Sequence, residues 1–173
     1  MNLIVGTPIW LIALLLLILL AAAIEDAIRF KISNPTCLAV FVSAIVAMVL
    51  HGFPLTLWQN AVVFIAVLGF GTLIFGAGWL GGGDVKLLAA LGLWVDFHGA
   101  LVLLAATFLA GGVLAGLYLI ARLLSRGRGR SNGDRRLPYG LAITAGALIT
   151  FGMQAWQPAP NPYIAKLKAA EHR

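Results

Sequence analysis

From Ile32 to Gly83 the chain contains no Asp, Glu, Lys or Arg. Across all 173 residues charged side chains make up 10% and hydrophobic ones 61%. A soluble domain carries about 25% charged residues, so this scarcity excludes one and places the chain in the membrane class. Cysteine is almost missing as well. Cys37 stands alone, which excludes an internal disulfide and a CxxC zinc site. Aromatic residues are absent from the arginine-rich stretch Arg126-Gly127-Arg128-Gly129-Arg130, so the formal charge of +6 does not read as a nucleic-acid surface. It reads as a solvated loop drawn to anionic lipid.

What is present is long apolar runs. Six segments stand out, at 8–26, 35–51, 58–78, 84–96, 99–121 and 139–156. In lipid the backbone must satisfy its own polar groups, so each is expected to be helical. The reading is an all-α membrane protein of about six transmembrane helices, one polytopic domain over 1–157 with a short irregular tail over 158–173. The fourth segment is short for a span and is expected to tilt, to re-enter, or to be extended by the glycines before it. Pro35 opens the second helix, Gly52 to Pro54 break before the third, and Pro138 precedes the sixth. The first segment ends in Ala21-Ala22-Ala23, as a cleavage site does, but lacks a basic region in front, so a retained helix is expected.

Orientation follows from the basic residues. Arg29 and Lys31 follow the first segment, Lys86 the third, and Arg122 to Arg136 the fifth, whereas the opposite loops at 52–57 and 97–98 have none. The positive-inside rule puts the first set in the cytoplasm and both termini outside. Asp26 and Asp84 then share the cytoplasmic face. His51 and His98 lie on the other, so no metal site uniting them with the acids is expected. Asp96, near the outer boundary, reads as an interfacial residue.

Two acids at hydrocarbon edges call for explanation, because a charge at membrane depth costs a few kcal/mol. Asp84, after Gly81-Gly82-Gly83 and before Val85-Lys86, is well placed to cap a helix. Capping does not account for three glycines, which serve where a backbone bends sharply or another approaches closely. Asp26 has a plain alternative as the partner of Arg29 one turn on. Yet Glu25 and Asp26 oppose the dipole at a helix C-terminus, which favours proton uptake. Paired acids in desolvated surroundings divide their roles, one ionised and one holding its proton, which suits activation of water. A proton- or ion-coupled transporter is the rival reading, and a non-catalytic scaffold of a secretion system a second.

Gly81-Gly82-Gly83-Asp84-Val85-Lys86 resembles the GxGD motif of type IV prepilin peptidases. Asp26 through Ile32-Ser33-Asn34 resembles the family's second aspartate pattern, with Ser33 where proline is usual, and Leu137-Pro138-Tyr139-Gly140 resembles a segment that opens the last helix. The resemblance covers nearly the whole chain. It implies an aspartic endopeptidase of the bacterial inner membrane, with Asp26 and Asp84 catalytic and Gly81, Gly82, Gly83 and Lys86 at the substrate. It implies cleavage of a prepilin or pseudopilin leader after a glycine, with no cofactor, and membrane lipid as the other partner. Larger members carry an N-terminal extension with paired CxxC motifs, linked to methylation of the product. Without those cysteines the chain resembles the short, peptidase-only members of tight-adherence (Flp) pilus systems.

Overall fold

The computed structural model describes residues 2–52, 55–78, 80–124 and 139–156. The arginine-rich stretch at 126–136 and the tail at 158–173 lie outside the described residues. Among the described residues six α-helices form, where the apolar segments predict them: α1 (Ile9–Arg29), α2 (Asn34–Leu50), α3 (Trp58–Gly76), α4 (Gly82–Gly92), α5 (Phe97–Leu124) and α6 (Tyr139–Ala155). A 3₁₀ turn at Leu55–Leu57 leads into α3. Among the described residues three stretches are long and apolar enough to cross a membrane, Ile9–Arg29, Leu55–Gly76 and Phe97–Ala121, while Asn34–Leu50 and Tyr139–Ala155 are shorter apolar helices.

α4 is the exception. Its 11 residues rise about 16 Å, roughly half of a 30 Å hydrocarbon core, so it does not cross on its own. The glycine segment does extend it, since Gly82 and Gly83 form its first turn. It packs against α2, α3 and α6, and Leu87 to Gly92 are buried without a break. A helix apolar on every side belongs inside a bundle, and this one is its centre. The outer helices leave one face to lipid: Leu16, Leu17 and Leu20 on α1, Ile65 and Phe70 on α3, and Phe108 and Leu109 on α5 are exposed.

The turns sort into two ends. Leu3, Thr7, His51 and the end of α4 meet at one: Leu3 N–H donates to the Trp94 carbonyl at 3.1 Å, and His51 Nε2 lies 3.1 Å from Thr7 Oγ1. The C-terminus of α1 and the N-termini of α2, α4 and α6 meet at the other. Asp26 and Asp84 are both there.

Candidate active site

Asp26 lies in the last turn of α1 and is buried. Its Oδ2 accepts a 2.6 Å hydrogen bond from the Gly140 amide at the start of α6. The first amides of a helix have no partner within it and point at anions readily, so α6 opens onto this carboxylate. A methyl group at Gly140 would stand 2.8 Å from Asp26 Cβ. Glycine is needed there for close approach, not for backbone shape.

Asp84 is buried in the first turn of α4. It is not the cap. Gly81 holds that position, and Asp84 stands three residues in, from where it takes a backbone hydrogen bond at Gly81. A methyl at Gly81 would sit 2.5 Å from Asp84 Oδ2. Burial first, and the charge of Asp26 second, push the Asp84 carboxyl well above its ordinary value, up to about 6, against the pull of the Gly81 hydrogen bond. The charge of Asp26, far from Asp84 in sequence, therefore bears on it electrostatically.

The other predicted residues divide. Gly81 edges Asp84, as above, and Gly82 lies against the Phe75 ring. Gly83 faces the loop after α1, where an added methyl would meet the Ile32 carbonyl oxygen at 2.9 Å. Lys86 turns away to the surface, where Nζ donates to Asn34 Oδ1 at 2.9 Å and ties α4 to the start of α2. Glu25 does not join Asp26 as a second titrating acid. Its Oε2 accepts from Ser33 N–H at 3.2 Å and Thr36 Oγ1 at 2.9 Å, and its Oε1 from Ser33 Oγ at 3.3 Å. Ser33 in turn caps α2, accepting from Thr36 N–H at 3.4 Å. Where the resembling pattern has proline, this chain has a cap that an acid can hold.

A cleft of about 390 Å³ opens beside these residues, lined by Glu25, Arg29, Lys31, Ser33, Asn34 and neighbours. Among the described residues no group of three His, Cys, Asp or Glu gathers to hold a metal ion. His51 is committed to Thr7 and the Leu3 carbonyl at the far end. Asp96, read from sequence as interfacial, accepts from Gly99 N–H at 2.9 Å and so caps α5.

Gly140 is the residue that sequence reasoning did not place at the site. The Pro138-Tyr139-Gly140 signal marked a helix start, and nothing local says which side chain that start faces.

Comparison with known proteins fits this arrangement. The model of the type IV leader peptidase family matches residues 13–116, a stretch that holds both acids and the glycine segment. Leader peptidase HopD of Escherichia coli is 40% identical over 72 residues, which cover 40% of this chain and 41% of that protein. The chain thus aligns with less than half the length of this curated relative. No solved structure matches it.

Proposed function

The chain belongs to the type IV leader peptidase family, and on that premise we propose that it is an aspartic endopeptidase that removes the leader peptide of prepilins. The observation that carries this reading is the pair of buried carboxyls that α1 and α4 bring to the same end of the bundle, Asp26 on the Gly140 amide and Asp84 beside Gly81. Asp26, with the Gly140 amide on its Oδ2, is the ionised member, and Asp84 keeps its proton. Asp26 takes a proton from water as the water oxygen attacks the scissile carbonyl carbon, and Asp84 gives its proton to the carbonyl oxygen. The tetrahedral intermediate then collapses. The C–N bond breaks, Asp26 passes its proton to the leaving nitrogen, and a hydroxyl proton returns to Asp84. No covalent enzyme intermediate forms, and water is the only co-reactant.

The finer features of the proposal are these. The dyad faces the cytoplasm of a bacterial inner membrane, cleavage follows a glycine of an Flp-like prepilin or pseudopilin, and the product is not methylated. Gly81, exposed beside Asp84, lets an extended substrate strand pass, while Gly82 and Gly83 seat the start of α4 against Phe75 and Ile32. The transporter reading loses ground on one observation. The hydroxyls of the buried Ser43, Thr144 and Thr150 are spent on the backbone carbonyls of Val40, Leu19 and Gly146 rather than lining a polar path.

The test is direct. Purified protein in detergent, given a prepilin with a basic leader, a glycine and an apolar helix, should yield a mature product with a free amine by mass spectrometry. Asp26→Asn protein should leave the prepilin intact. Methylated product from this protein alone with S-adenosylmethionine, or cleavage by the Asp26→Asn protein at the normal rate, overturns the reading. Thiol labelling checks the orientation: with Cys37 removed, a cysteine at Thr56 should react with an impermeant reagent in intact cells and one at Ser131 should not.

A further inference from the structure

Resting on the peptidase reading, we infer that Glu25 is a positioning residue that fixes the spacing of the two carboxyls by clamping the loop between α1 and α2 against Gly83. Glu25 is the sequence neighbour of Asp26, and Gly83 is the neighbour of Asp84. Between them lies one short segment. Phe30 ends α1 in the left-handed conformation at φ 51°, its N–H on the Asp26 carbonyl at 2.8 Å. A bulky residue adopts that shape only where its surroundings hold it. Ile32 follows, 3% exposed, with its carbonyl oxygen and Cβ 2.9 and 3.1 Å from where a Gly83 side chain would begin. Ser33 and Thr36 then receive Glu25 through three hydrogen bonds.

The clamp also explains why an acid is tolerated at position 25. At the C-terminus of α1 a carboxylate opposes the helix dipole, but this one is folded over onto the N-terminus of α2, where amides and dipole favour it. A second tie runs from α2 to the same glycine, since Cys37 Sγ donates to the Gly83 carbonyl at 3.5 Å. Releasing Glu25 frees Ser33, lets Ile32 lift off Gly83, and allows the first turn of α4 to move with Asp84 on it. The catalytic groups remain, and their spacing does not.

Two measurements test this, one independent of catalysis. In prepilin cleavage, Glu25→Ala should lower kcat by ~10–100-fold, the scale of a misplacement near 1 Å, with KM kept within about twofold. Glu25→Gln, which keeps an acceptor for Ser33 or Thr36, should recover most of the rate. Glu25→Ala combined with Gly83→Ala should lose little more than the worse single variant, because both act through Ile32. In the second measurement, alkylation of the buried Cys37 by N-ethylmaleimide should quicken in Glu25→Ala and stay slow in Asp26→Asn. Normal kcat in Glu25→Ala, or a loss confined to KM, overturns the inference while leaving the peptidase reading intact. If the wild-type protein cleaves nothing, the peptidase reading fails, and unchanged alkylation of Cys37 would still refute the clamp. Should Glu25→Ala not accumulate, Ser33→Ala with Thr36→Val removes the same hydroxyls. Wild-type kcat in that variant counts against the clamp equally.

Discussion

The two ends of the bundle use polar residues in opposite ways. At the end built from Leu3, His51, Asn60 and Trp94, side chains serve the backbone. Asn60 Nδ2, fully buried, donates to the Leu93 carbonyl at 2.9 Å, and Thr7 Oγ1 donates to the Leu3 carbonyl. At the end built from Asp26, Asp84 and Gly140, the backbone serves side chains. Amides of Gly140 and Ser33 donate to carboxylates, and glycines are placed where a side chain would crowd an acid. The first arrangement closes open hydrogen-bonding groups and stabilises the fold. The second holds two acids in a setting that one of them, by its raised proton affinity, opposes. On the proposed function, this second arrangement serves chemistry rather than stability.

The most severe way to break the contrast is to remove the titrating groups. Asp26→Asn and Asp84→Asn should each lower prepilin cleavage by at least ~10³-fold, within the range general acid–base catalysis supplies, with normal amounts of protein in the membrane. Next come the glycines. Gly83→Val should cost on the order of 10²-fold, because its side chain displaces Ile32. Gly140→Ala should do comparable harm by pressing on Asp26. Gly52 is the matching control at the other end. Its φ is +74° but nothing lies within 4 Å of an added methyl, so Gly52→Ala should strain the fold while leaving the rate alone.

Acidity sharpens the same comparison at smaller amplitude. With the Asp84 carboxyl up at about 6, its proton is lost as pH rises through that value, and kcat/KM should fall by up to about tenfold per unit on the alkaline side. The sign for stability follows. A carboxyl whose folded pKa is raised contributes stability that is complete below its unfolded pKa and lost as pH climbs through the folded one. Asp84→Asn does not ionise, so above pH ~7 it should melt higher than wild type while cleaving nothing. A wild-type melting temperature unmoved from pH 5 to 8 would show that Asp84 is not held in its neutral form.

Much of this was legible beforehand because it rests on local pattern. The six helices follow from apolar runs and their proline and glycine breaks, and the alternation of helix ends puts Asp26 and Asp84 together. What was not legible depends on which helices are neighbours. Gly140 meets Asp26 across 114 residues, and no periodicity announces that. The capping role weighed beside the catalytic reading of Asp84 falls instead to Gly81, since α4 begins earlier and Gly82 and Gly83 themselves take up helical turns. Glu25 was grouped with Asp26 by adjacency. Residues 100° apart on a helix point to different partners, and Glu25 points to α2.

Asp96 provides the smallest test and the one that isolates environment from residue type. It is the third aspartate near a helix end, yet it is only partly buried and is engaged with Gly99 N–H at the start of α5. In that position its side chain occupies one of the first amides of α5, as a helix cap does. Asp96→Ala should therefore cost about 1 kcal/mol of stability, the worth of a cap, read as a modest fall in melting temperature in detergent. Cleavage per folded molecule should match the wild type within error, at every pH. A loss of rate in Asp96→Ala comparable to Asp26→Asn would mean that the two ends are not separate in function.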